Sequence, residues 1–322
     1  MGEFSDDWLQ LRAPADARAR ADRLLALLPK IDRVIDLGAG TGANLRYLVP
    51  RLAGAQDWLC VDHDATLLAL LPERTRVWAE AAGQAFAPDG DAFTLNGPDC
   101  NCRVRCQQLD LSTDLDSLTL PAGALVCASA LLDLVSADWL ELLLGRAAQA
   151  RCPLLFTLIY DGRVQLSPSD DSPIGDAAVI ERVNRHQLRN KGFGPALGPL
   201  ATAEAAAIAR RLGFRVRQAA SDWHLGPEHT ALQRALIEGW HAVALAVSPR
   251  DEGGLGEWRD RRLAHLSAGQ SRMDVGHQDL VLIPIEGDPV RDEPEGDPAY
   301  RPSSRPSFQA AQAESRPPDT SA

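Results

Sequence analysis

The sequence predicts an α/β fold: a doubly wound, mostly parallel sheet of seven strands with helices on both faces. Three observations carry that expectation. Short apolar runs of strand length alternate with amphipathic helical stretches, which implies a parallel sheet covered on both sides. The first run ends in a glycine-rich turn, Gly38-Ala39-Gly40-Thr41-Gly42. The next two end on single acids, Asp62 and Asp110.

The elements follow in order. Residues 14–30 read as a helix, with Ala17, Ala21, Leu24, Leu25 and Leu28 at helical spacing. Val34-Ile35-Asp36-Leu37 is the first strand, and a helix with Leu45, Leu48 and Leu52 on one face follows the glycine turn. Trp58 to Val61 is the second strand, and residues 65–72 are helical. Val104 to Leu109 is the third strand and Ala124 to Ala128 the fourth. Ser136 caps a helix carrying Leu140, Leu143 and Leu144. Leu154 to Tyr160 is the fifth strand. A helix from Thr202 to Leu212 stops at Gly213, the usual glycine position after a helix. Phe214 to Gln218 is the sixth strand and Leu280 to Ile285 the seventh.

Three stretches interrupt the alternation and read as insertions. Residues 78–106 contain two turn signals, Pro88-Asp89-Gly90-Asp91 and Asn96-Gly97-Pro98, and predict a hairpin. Residues 161–200 and 226–278 are long connections, the second with a helix carrying Leu232, Leu236, Trp240 and Val243. Connections of this length usually have a function. The division expected is therefore a helical segment over 1–30, one domain over 31–286, and a tail over 287–322. The tail is acidic and holds 7 of the 22 prolines. It has too little apolar surface to order itself.

Charge narrows the partners. The chain has a net charge of -11, and the tail's 7 acids and 4 arginines account for -3 of it. Broad electrostatic binding to nucleic acid or to an anionic membrane needs the opposite sign. No apolar run is long enough to span a bilayer, and the acidic start, Glu3 to Asp7, is unlike a signal peptide. Six cysteines with no export signal predict reduced thiols in a cytoplasm. Cys100, Cys102 and Cys106 lack a fourth ligand and match no zinc spacing. No metal site is expected.

The glycine turn is the most informative segment. Glycines after a strand let backbone approach a cofactor closely. Gly38, Gly40 and Ala43 also satisfy the G-x-G-x-x-G/A dinucleotide pattern. Asp36 separates the two readings. A carboxylate two residues before the first glycine repels a pyrophosphate and suits an ammonium. The spacing of Asp62, 20 residues past Gly42, is that of a ribose-binding acid.

With these residues the chain resembles the class I S-adenosylmethionine-dependent methyltransferases, a Rossmann-like family, over residues 30–160 and less specifically over the last two strands. The resemblance implies that Asp36, Gly38, Ala39, Gly40 and Gly42 cradle the methionine part of the cofactor. It implies that Asp62, with His63 beside it, binds the ribose hydroxyls. Asp110 would take the adenine amino group, with Leu111 against the ring. Ser129 and the segment to Asp133 would line the transfer site. Asp110 also reads as a helix cap, and Asp133 as a solvated acid at a helix start.

Transfer from a sulfonium needs alignment and exclusion of water more than acid–base catalysis. No catalytic residue stands out. The acceptor is expected to be a small molecule, enclosed by the inserted segments. Residues 184–195 read as a lid in which Arg185 or His186 meets an anionic or hydroxylated group, and equally as a solvated basic turn. Tyr160 is a second candidate at the same sheet edge. Two other classes stay open: an NAD(P)-dependent oxidoreductase and a non-catalytic S-adenosylmethionine-binding module.

Overall fold

The computed structural model describes residues 5–98 and 100–285. The tail expected over 287–322 lies outside them. The first helix, α1 (Asp6–Ala19), starts earlier than predicted because Ser5 caps it, its Oγ accepting from Trp8 N at 3.2 Å. The helix breaks at Arg20, where the chain turns extended, and resumes as a 3-10 turn at Asp22–Leu27. The break is fixed by a distant acid: Asp279 Oδ2 accepts from Ala21 N at 2.8 Å.

The alternating elements follow: β1 (Arg33–Leu37), α2 (Ala43–Leu48), β2 (Ala55–Asp62) and α3 (Ala65–Ala81). Helix α3 runs nine residues past the predicted end, through Pro72. Proline removes one helical hydrogen bond, but the buried stripe Leu67, Leu68, Leu71, Thr75, Ala79 continues beyond it and holds the helix on the sheet. The predicted hairpin is β3 (Ala85–Asp89) and β4 (Ala92–Gly97), leading into β5 (Cys100–Gln108). Then come β6 (Leu125–Ser129), α4 (Ala137–Gln149) with Ser136 as its cap, and β7 (Leu154–Ser167). The remaining elements are α5 (Asp176–Gln187), α6 (Ala201–Arg211), β8 (Phe214–Ala220), β9 (Trp223–Leu225), α7 (Thr230–Val247), α8 (Glu252–Ser267) and β10 (Arg272–Pro284).

The sheet order is β3-β4-β5-β2-β1-β6-β7-β10-β8, with β9 paired to β10. Strands β5, β2, β1, β6 and β7 are mutually parallel. Strand β10 enters antiparallel between β7 and β8. The fold class is thus the doubly wound α/β sheet that the sequence predicts, with the hairpin extending one edge. Adjacent β1 residues face opposite layers. Ile35 and Leu37 join the core under α4 and α6, and Val34 joins the core under α2 and α3.

The other two insertions are not loops. Strands β7 and β10 are 14 and 13 residues long and continue as an antiparallel ribbon beyond the parallel sheet. On it sits a cap of α5, α7 and α8 with its own core, in which Trp258, Leu255 and Ile237 are fully buried. Arg262 and Trp258 both donate to Asp176 and tie α8 to α5. The continuous apolar run ends at Tyr160 and Asp161-Gly162 reads as a turn signal, so the sequence pattern missed the second half of the ribbon.

Candidate active site

Ligands of open α/β sheets bind at the carboxyl ends of the strands, where the strand order reverses. Here that place is the end of β1, between β2 and β6. A cavity of about 640 Å³ opens there, inside the range of small-molecule sites. Its walls are the glycine turn, the ends of β2, β5 and β6, helix α1, and the segment after α5.

The turn is built by backbone that only glycine adopts readily. Gly38, Gly40 and Gly42 have φ of 66°, 51° and 82°. Gly38, Ala39 and Gly40 line the cavity, and Gly42 does not. A Cβ on Gly42 would stand 2.9 Å from Leu71 Cγ, so this glycine serves the packing of the turn on α3.

Asp62 lines the cavity and organises it. Its Oδ2 accepts from Gly40 N at 2.8 Å and its Oδ1 from Asp64 N at 3.0 Å. A carboxylate has about four lone-pair sites, so each oxygen keeps one for a ligand. His63 stands beside it, Nδ1 at 3.2 Å from Asp62 Oδ1, and is mostly exposed. Asp110 lines the cavity at the next strand. Its Oδ1 accepts from Ser112 N and Oγ at 2.9 and 2.7 Å, which holds its pKa below the usual carboxylate value. The local turn and the open Oδ2 coexist, so the capping and ligand readings of Asp110 do not compete. Leu111 is buried at the wall, its carbonyl bonded by Trp139 Nε1 at 2.6 Å.

Asp36 departs from the expected geometry. It is fully buried and does not line the cavity. Asn44, in the first turn of α2, stands between. Asn44 Nδ2 donates to Asp36 Oδ1 at 2.6 Å, and Cys127 Sγ lies 3.5 Å from the same oxygen. Burial pushes the Asp36 pKa up to about 6. Asn44 passes the interaction outward: its Oδ1 accepts from Arg20 at 2.7 Å, and Arg20 also donates to Ser129 Oγ at 2.8 Å. The Arg20 guanidinium packs over the Tyr47 ring at 4.3 Å, and its buried Nε has no partner.

Arg20 is a cavity-lining residue that no local pattern in the sequence reveals. It lies in a stretch read as continuous helix, and its partners are 24 and 109 residues away. Arg12 and Asp16 of α1 also line the cavity, paired at 2.9 Å and packed on Trp223.

The predicted acceptor residues separate. His186 lines the cavity from the last turn of α5, with both ring nitrogens buried and unbonded. Arg185, one residue earlier on the helix, pairs with Glu181 at 2.6 Å in solvent and does not reach the cavity. Tyr160 donates to Asn184 Oδ1 at 2.8 Å and is not in the wall. Asp133 is buried rather than solvated, its Oδ1 unbonded and its pKa pushed up to about 6 by burial. His277 is buried against Trp223, with ring centroids 4.8 Å apart. The lid residues that do face the cavity are Arg189, Asn190, Lys191, Gly192 and Phe193.

No family profile and no curated protein matches the chain. Among solved structures it is similar to the cyclopropane synthase MmaA2 of Mycobacterium tuberculosis, at 12% identity and a TM-score of 0.45, covering 87% of this chain and 94% of that one. It is similar to an arsenic(III) S-adenosylmethionine methyltransferase of Chlamydomonas reinhardtii, at 16% identity and 0.38, covering 85% and 73%. It is also similar to phosphoethanolamine N-methyltransferase 2 of Haemonchus contortus, at 16% identity and 0.39, covering 88% and 59%. Among the described residues no helix is long and apolar enough to cross a membrane, and no group of His, Cys, Asp and Glu has the arrangement of a metal site.

Proposed function

We propose that the chain is an S-adenosylmethionine-dependent methyltransferase acting on a small molecule. The observation that carries this is the pair of carboxylates at adjacent strand ends, Asp62 and Asp110, both opening into the cavity beside the glycine turn. Asp62 has two acceptor positions left for the two ribose hydroxyls, and Asp110 has a free Oδ2 for the adenine amino group. Leu111 offers an apolar wall to the adenine ring. Arg20, held by Asn44 and Ser129, presents its cation where the methionine carboxylate would lie. Asp36 acts through Asn44 rather than by direct contact.

The same geometry disfavours the dinucleotide reading. A pyrophosphate needs free N–H groups at the turn. Those of Ala39, Gly40 and Gly42 already donate to Val61 O, Asp62 and Ala39 O.

When bound, S-adenosylmethionine supplies a methyl group on a sulfonium. The residues of this chain orient it, close the cavity with α1 and the lid, and exclude water. The net charge of -11 favours a small molecule over nucleic acid. The buried thiols of Cys60, Cys127 and Cys152 suit a reducing compartment, and we place the enzyme in the cytoplasm.

Calorimetric titration with S-adenosylmethionine, S-adenosylhomocysteine, NAD and NADP tests the cofactor. Binding of the first two alone is expected; binding of NAD or NADP alone reverses the proposal. A metabolite-extract screen for S-adenosylhomocysteine release then separates an enzyme from a binding module that never turns over.

A further inference from the structure

The geometry points to an acceptor that carries an anionic group, a carboxylate or a phosphate, seated by Arg189 and Lys191 at the lid end of the cavity. This rests on the reading of the cavity's other end as the cofactor site.

The cavity is electrically polarised along its length. Asp62, Asp64 and Asp110 stand at the nucleoside end. His186, Arg189 and Lys191 stand at the lid end, close together in sequence and all in the wall. Among the described residues no carboxylate forms an ion pair with Arg189 or Lys191, and neither ring nitrogen of His186 has a hydrogen-bond partner. Asp16, the acid of α1 in the same wall, is already paired with Arg12 and bonded by Trp223 Nε1. Asp133 lies near Lys191 but is buried and does not line the cavity.

The backbone that carries the cations is anchored; Arg189 itself is exposed at the cavity rim and Lys191 is half-buried. Asn190 Oδ1 accepts from Gly192 N and Gly194 N at 2.8 and 3.2 Å, which shapes the turn between them. Phe193 forms a bridge with Val135 and packs edge-on against Trp139 at 5.2 Å. Leu197 N donates to Val135 O at 2.8 Å and fastens the far end. A fixed loop thus keeps two like charges at one wall. Their cost is visible in Lys191, whose pKa is lowered by burial and then by Arg189. Burial and the same two cations also lower the His186 pKa. An anion between the cations removes that repulsion and gives His186 a partner. Arg20, bonded to Asn44 and Ser129, is the cation assigned to the cofactor carboxylate, which leaves the lid cations for the acceptor. Phe193, Leu131 and Leu134 supply an apolar surface next to the cations.

The test uses four matched probes: benzoate, phenyl phosphate, benzamide and benzylamine. Each is titrated into full-length protein saturated with S-adenosylhomocysteine. At least one anion is expected to bind at least tenfold more tightly than benzamide, with benzylamine weakest. Benzoate over phenyl phosphate assigns a carboxylate, and the reverse assigns a phosphate. The double substitution Arg189→Ala, Lys191→Ala is expected to remove the preference while leaving S-adenosylhomocysteine affinity within twofold. Benzamide or benzylamine binding as tightly as both anions overturns the proposal. So does a preference that survives the double substitution, or anion binding that S-adenosylhomocysteine abolishes. If S-adenosylhomocysteine itself does not bind, the cofactor reading falls, and the four titrations on unloaded protein decide the anion seat separately.

Discussion

Asp62→Asn perturbs the cofactor site with the least change of shape. Asp62 accepts two backbone N–H groups, from Gly40 at 2.8 Å and Asp64 at 3.0 Å. Asparagine keeps one acceptor for them, and its NH2 then faces the other donor. Two ribose hydroxyls lose an anionic acceptor. Hydrogen bonds to charged groups contribute about 1.5–3 kcal/mol, against about 0.5–1.5 for neutral ones. The difference over two hydroxyls is about 2–3 kcal/mol, or a Kd for S-adenosylhomocysteine raised about 30- to 150-fold. Isothermal titration measures it, and a thermal melt on the same sample controls for folding. A Kd within threefold of the parent, with the melt unchanged, refutes the assignment of Asp62 to the ribose.

Three further expectations follow from the geometry. Arg20→Ala removes one charge-assisted bond to the cofactor carboxylate. S-adenosylhomocysteine is expected to bind at least tenfold more weakly, and methylthioadenosine, which lacks the amino-acid end, within threefold of the parent; equal losses for both ligands count against the role. Gly42→Ala forces a side chain into left-handed backbone and against Leu71. It is expected to cost about 2–4 kcal/mol in denaturant unfolding, whereas Gly123→Ala, also left-handed but with open space, is expected to cost about 1 kcal/mol. Burial pushes the His277 pKa down to about 4 from 6.5. The folded ring stays neutral while the unfolded one is protonated, so stability falls as pH drops from 6.5 towards 4. In that window the advantage of the parent over His277→Gln is expected to shrink by about 1.4 kcal/mol per pH unit. A pH-independent difference in unfolding free energy contradicts a neutral buried ring.

The parts of the fold legible from sequence are those set by local pattern. The alternation of strands and helices, the hairpin at 85–97, the Ser136 cap and the stop at Gly213 are signals within a few residues of the element they define. The ends of α3 and β7 are not legible, because burial on the sheet outweighs Pro72 in one and pairing with β10 carries the strand past Asp161-Gly162 in the other. The candidate site divides in the same way. Glycines needing positive φ and acids at strand ends can be found by spacing alone. Arg20 cannot, because Asn44 and Ser129 come to it only through folding.

The fold class and the glycine turn both arise from chain-local chemistry: apolar runs, glycine backbone, and carboxylates placed after strands. The tertiary structure decided which of those groups meet the cavity. It set Asp36 behind Asn44, turned Gly42 onto Leu71, and kept Arg185 out of the cavity wall to which Arg189 and Lys191 contribute. The physical reason is that burial, ion pairing and the direction of a side chain depend on what packs beside it. For Arg20 that neighbour is Ser129 on β6, which no local pattern in the sequence connects to it.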